Sequence, residues 1–102
     1  VSELRRYQRA PVDVAVEFVA KGTERVIAGR ATDVSLGGMF IQTTEPLAFS
    51  SELVVHVRVP RQRGPLALPA VVRWVGPTGM GVQFGLLGAR ETHAITELTR
   101  PS

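Results

Sequence analysis

Two short segments of this chain carry the residue types that hold small anions and purine edges. The first is Arg5-Arg6-Tyr7-Gln8-Arg9, followed by Ala10-Pro11-Val12. The second is Asp33-Val34-Ser35-Leu36-Gly37-Gly38. A guanidinium is a planar fork of donors, matched to phosphate oxygens or to the neighbouring O6 and N7 acceptors of a guanine. A carboxylate such as Asp33 accepts from the guanine N1–H and its amino group, a donor pair that adenine lacks. The Ser35 hydroxyl, on Asp33's side if the chain is extended there, can reach a base edge or a phosphate. Gly38, and with it Gly37, permits a backbone conformation or close approach that a Cβ would forbid.

These residues need a scaffold, and the hydrophobic pattern supplies one made of strands. Val12, Val14, Val16 and Phe18 alternate with polar positions, the period of a half-buried strand. A second strand is expected over 25–34, with Gly29 marking a bulge or bend. A third runs from Met39 to Thr43 and a fourth carries Leu53, Val55, Val57 and Val59. The fifth spans Leu66 to Val75, with Pro69 placing that stretch at an edge or bulge. The sixth is Met80 to Phe84, after the turn Gly76-Pro77-Thr78-Gly79. Leu87 to Thr99 reads as a short helix, with Pro101 after its end. Six short strands in about a hundred residues predict a small closed barrel, which leaves no free edge. Pro11 biases Ala10 towards extended geometry and hands the arginine segment on to the first strand. The expected organisation is one domain: an arginine-bearing arm over 1–11 and a barrel with its helix over 12–102.

RxxxR before a strand, then DxSxxG, resembles the PilZ domain, the bacterial receptor module for the second messenger cyclic di-GMP. Val72-Arg73-Trp74-Val75 and Gly79-Met80-Gly81-Val82-Gln83-Phe84 resemble that family's last two strands, so the likeness covers nearly the whole chain. It implies a six-stranded antiparallel split barrel with a C-terminal helix. It also implies a ligand, cyclic di-GMP, held by Arg5, Arg9, Asp33, Ser35 and Gly38, with Arg6 and Gly37 as secondary candidates. Family members take one ligand or an intercalated pair, and an extra arginine before the motif favours the pair. Leu4 stands there, which favours a single ligand. The resemblance further implies a cytoplasmic switch: binding orders the arm and changes the surface offered to a partner or linked domain. Motility, exopolysaccharide and pilus control are all compatible with the family.

The rest of the composition excludes more than it suggests. The 102 residues carry a net charge of +3 and no cysteine. Disulfides, thiolate nucleophiles and cysteine zinc sites are thereby removed. The charge is mild for a partner of long nucleic acid, and no apolar run is long enough to span a membrane. No cofactor or metal is expected: His56 and His93 have no partner at metal-ligand spacing. Ser35 sits in Val-Ser-Leu-Gly-Gly, not in a nucleophile elbow, so no enzyme is expected. Trp74, Met80 and Phe84 are assigned to core or barrel rim, Trp74 sharing a face with Val72. Arg61 and Arg63 are assigned to a solvated loop. The chain begins with Val, which suggests a piece of a longer protein. Two other functions fit the same chain. One is a PilZ-like protein-interaction module that binds no nucleotide. The other is a small barrel for single-stranded nucleic acid, disfavoured by few aromatics, mostly on core faces.

Overall fold

A computed structural model describes residues 9–58 and 64–99. Arg5, Arg6, Leu4, Tyr7, Arg61 and Arg63 lie outside the described residues. Six strands and one helix follow in order: β1 Ala10–Ala20, β2 Ile27–Val34, β3 Gly38–Gln42, β4 Glu52–Val57, β5 Leu66–Gly76, β6 Gly79–Phe84 and α1 Ala89–Thr99. All neighbours are antiparallel, and the order β1-β2-β3-β6-β5-β4 closes on itself through the β1–β4 ladder. The expected six-stranded barrel with a terminal helix is what forms, with each element within a residue or two of its expected bounds.

The alternation that marks the strands also fills the barrel. Phe18, Met39, Ile41, Leu66, Leu68, Met80 and Val72 are fully buried and point inward. Burying a side chain of this size contributes about 1.5–3 kcal/mol each, offset largely by chain entropy. Helix α1 turns Ala94 and Ile95 onto β1, β2 and β5, with Leu87 and Leu98 packed beside them. Ala48-Phe49-Ser50-Ser51 forms a tight turn before β4, closed by Ser51 N–H to the Ala48 carbonyl at 3.0 Å. Ser50 takes a φ of 73° there, a conformation that favours glycine.

Two local expectations change. Gly29 is not a bulge: β2 runs through it in register. A Cβ there would lie 2.6 Å from Cγ2 of Ile41, so the residue is small because the strand passes over β3's inward side chain. Pro69 is neither at an edge nor in a bulge; it pairs with Val54 inside the closed sheet. Its carbonyl accepts from Gly85 N–H, on the side where β6 has already ended. In an antiparallel strand the N and the C=O of one residue point the same way. The missing N–H of Pro69 therefore faces Gly85, one residue past the end of β6, and leaves the pairing with β4 undisturbed.

The register breaks fall elsewhere, at Pro11/Val14 on β1, Ala31/Asp33 on β2 and Val72/Trp74 on β5. Such breaks leave an extra residue unopposed and re-aim the side chains that follow. All three adjoin the outer face of the sheet formed by β1, β2, β3, β6 and β5.

Candidate ligand site

The strand break on β2 decides where Asp33 points. Arg30 faces out, Ala31 in, and strict alternation would then turn Asp33 inward. With one residue unopposed between Ala31 and Asp33, Asp33 faces outward instead, opposite Phe40, and Val34 is buried. Arg9 enters from the segment before β1 and donates from Nη2 to Oδ1 of Asp33. The two motifs, 24 residues apart in sequence, are thus joined by one charged contact. Both side chains remain open to solvent, at 50% and 37%. An ion pair so exposed contributes about 0–1 kcal/mol to folding, so its residues are free to exchange partners at little cost.

Ser35 and the glycines do something different. The chain ceases to be extended after Val34, so Ser35 is not on Asp33's outer side; it is 2% exposed. Its hydroxyl accepts from Gly37 N–H at 3.1 Å, and its own N–H donates to the Gly38 carbonyl at 2.8 Å. The turn is tied to β6 as well, where Phe84 N–H donates to the Gly37 carbonyl at 2.9 Å. A Cβ on Gly38 would sit 2.1 Å from the Val82 carbonyl oxygen. The close approach that this glycine allows is made by the β6 backbone. In this conformation Ser35, Gly37 and Gly38 fix the turn that follows Asp33, and Asp33 and Arg9 present the polar atoms.

Alternation along the strand predicts Trp74 on Val72's face, but Trp74 lies on the opposite one. The break at Val72/Trp74 keeps Val72 buried and turns Trp74 outward, 54% exposed. Its indole rests on glycines: a Cβ on Gly76 would meet Cη2 at 2.5 Å, and one on Gly81 would touch Trp74 Cβ at 3.6 Å. Because Gly81 lifts no side chain between them, Phe40 and Trp74 meet across β6 with ring centroids 5.5 Å apart and planes tilted by 52°. Asp33 is paired with Phe40, Phe40 with Gly81 and Gly81 with Trp74. The outer face thus carries one row across four strands: carboxylate, phenyl, bare backbone, indole. Phe40 and Trp74 were missed as site residues because their approach depends on a register break and on a glycine in a third strand. Met80 and Phe84 are buried, as expected.

No group of His, Cys, Asp and Glu among the described residues could hold a metal ion. No described helix is long and apolar enough to cross a membrane.

Comparison with known proteins gives the same architecture. The family model described as PilZ domain matches residues 3–100. Among solved structures, the PilZ domain of CeSA from a cellulose-synthesizing bacterium superposes with a TM-score of 0.71 at 17% identity, over 90% of this chain and 94% of that one. The PilZ domain of YcgR from Escherichia coli, solved with c-di-GMP, gives 0.73 at 15% identity, over 93% and 88%. The inhibitor of motility MotI/DgrA from Bacillus subtilis gives 0.73 at 19% identity; the match covers 95% of this chain but 49% of that one. No curated protein sequence matches the chain significantly.

Proposed function

The chain belongs to the PilZ family, whose domains are cyclic di-GMP receptors and not enzymes, and we propose that it binds cyclic di-GMP on the outer face around Asp33. The observation that carries this reading is the meeting of Arg9 and Asp33 beside the Phe40–Trp74 pair. Guanine presents N7, O6, N1–H and the amino group along one continuous edge. The Arg9 fork matches O6 and N7; the Asp33 carboxylate matches the two donors. A base held by Asp33 lies along the row that Phe40 and Trp74 continue, and stacking on an aromatic ring contributes about 1–3 kcal/mol per base. Arg5 adds a second fork for guanine or phosphate, Arg6 a further charge, and Ser35, Gly37 and Gly38 keep Asp33 in place. No group other than the ligand is required.

The ligand is also the switch. Arg9 exchanges Asp33 for the guanine edge, and the segment bearing Arg5 settles over the ligand. The gain must be larger for the closed arrangement than for the open one, or binding would transmit nothing. The receiver is a partner or a linked domain, in a cytoplasmic pathway of the kind that controls motility or exopolysaccharide. Leu4 before the motif supports one ligand per domain.

The test is base selectivity. Arg9→Ala and Asp33→Ala are each expected to weaken cyclic di-GMP binding by about 1–3 kcal/mol, with unfolding midpoints almost unmoved. Asp33→Ala is also expected to narrow the discrimination against cyclic di-AMP. Unchanged affinity and selectivity in both variants would overturn the assignment of Arg9 and Asp33, whereas no binding by wild type would leave the domain as a protein-interaction module.

A further inference from the structure

The Arg9–Asp33 contact has a counterpart. Arg30 on β2 donates from Nε to Oδ1 of Asp13 on β1. Along each strand the order is arginine, then aspartate: Arg9 and Asp13 on one, Arg30 and Asp33 on the other. Because β1 and β2 are antiparallel, the first arginine meets the last aspartate and the reverse. Exchanging the two strands about Val12 and Thr32 therefore maps one pair roughly onto the other, in order though not in exact spacing or donor atom. The register break on β2 makes this arrangement possible, since it turns Asp33 to the outer face, where Arg30 and, by the plain alternation of β1, Arg9 and Asp13 already lie. Asp13 and Arg30 are open to solvent, at 74% and 50%. Beyond Arg30 lies an open groove of about 630 Å³, bordered by Gln42, Thr44, Pro77 and Thr78. Its size is within the range of sites that take small ligands.

Cyclic di-GMP has a two-fold axis of its own and two identical guanines. We infer that Asp13 and Arg30 form a second guanine site, with the two-fold axis of the ligand passing between the two pairs. Arg30 offers its fork to O6 and N7 of the second base and Asp13 accepts from N1–H and the amino group, as Arg9 and Asp33 do for the first. The groove receives the outer side of that base, where Gln42 and the threonine hydroxyls replace water. This rests on the receptor reading and adds to it: the domain counts guanines. A cyclic dinucleotide with one guanine and one adenine fills one pair and leaves the other facing a base that cannot match it.

The experiment is calorimetric titration of the intact chain with cyclic di-GMP and with the mixed guanine–adenine cyclic dinucleotide. The variants are Arg30→Gln, Arg30→Lys, Asp13→Asn and, as control, Arg25→Gln. Arg25 forms an exposed pair with Glu45 and loses the same charge without touching the site. Wild type is expected to prefer cyclic di-GMP over the mixed ligand. Arg30→Gln and Arg30→Lys are expected to lose roughly 5- to 150-fold in cyclic di-GMP affinity and most of that preference, while Arg25→Gln changes neither. Asp13→Asn is expected to reduce the preference. Cyclic di-GMP binding that is strong in wild type and equal in Arg30→Gln would overturn the inference and leave Asp13–Arg30 as a surface ion pair. A wild-type chain that binds neither ligand would instead overturn the receptor reading and the second site with it.

Discussion

Replacing Gly38 with alanine separates two roles that the motif alone cannot distinguish. A glycine that lets a ligand approach can be replaced at little cost to folding. A glycine that lets another strand approach cannot. In this fold the added Cβ would lie 2.1 Å from the Val82 carbonyl oxygen and 3.2 Å from Gln83 Cα. An ordinary contact begins more than an ångström further out, and the opposing atom is backbone, so β3 and β6 must part. Overpacking of this kind costs about 1–3 kcal/mol. The parting also strains the Phe84 N–H to Gly37 bond and the Ser35 N–H to Gly38 bond, at 2.9 and 2.8 Å, each contributing about 1 kcal/mol. The expected loss is about 2–4 kcal/mol, a large share of the roughly 5–15 kcal/mol that holds a domain together. At about 4–8 °C per kcal/mol for a domain near this size, Gly38→Ala should melt roughly 10–30 °C below wild type in a calorimetric or circular-dichroism scan without ligand. Gly81→Ala is the control: its Cβ would meet Trp74 at an ordinary 3.6 Å, and its melting should stay close to wild type. A Gly38→Ala variant that melts like wild type yet binds no ligand would refute the packing argument and return Gly38 to the ligand's side.

Two further outcomes follow from single side chains. Trp74 is the one tryptophan in the sequence, and it is half-exposed beside Phe40, so saturating cyclic di-GMP should quench or shift the intrinsic fluorescence. Trp74→Ala should weaken binding by about 1–3 kcal/mol, whereas unchanged emission on a binding curve seen by calorimetry would remove the stacking contact. Ser50 holds a φ of 73° at the third position of its turn, so Ser50→Gly should raise stability by about 1 kcal/mol in urea titration, and a lower midpoint would contradict that strain.

Much of the scaffold was legible because its signal is redundant. Every strand repeats its inward residues several times, from Val16 and Phe18 to Val82 and Phe84, and turns such as Pro77-Thr78 punctuate them. Arg9 and Asp33 stand out in the sequence for a different reason, since their types and order resemble a ligand motif whatever the barrel's details, but nothing in the sequence says that they touch each other. The rest depends on single-residue breaks in register. One unopposed residue reverses the face of everything after it, and neither Thr32 nor Arg73 carries the Gly or Pro signature that would have announced one. So Trp74 was placed with Val72, and the shared face of Arg30 and Asp33 went unseen. Ser35 would share Asp33's side only in an extended chain, and the extended chain ends one residue before it. Gly29 and Pro69 drew attention as irregularities, yet both lie in regular pairing. One makes room for Ile41 and the other turns its missing donor towards Gly85, just beyond the end of β6.

The central claim is that the face around Asp33 binds cyclic di-GMP, and titration of the purified domain by calorimetry, with cyclic di-AMP and GMP as controls, tests it most directly. The account predicts saturable binding of cyclic di-GMP at micromolar or tighter affinity, one ligand per domain, with far weaker or no binding of either control. No heat and no thermal shift with cyclic di-GMP, in a domain that melts cooperatively, would contradict it.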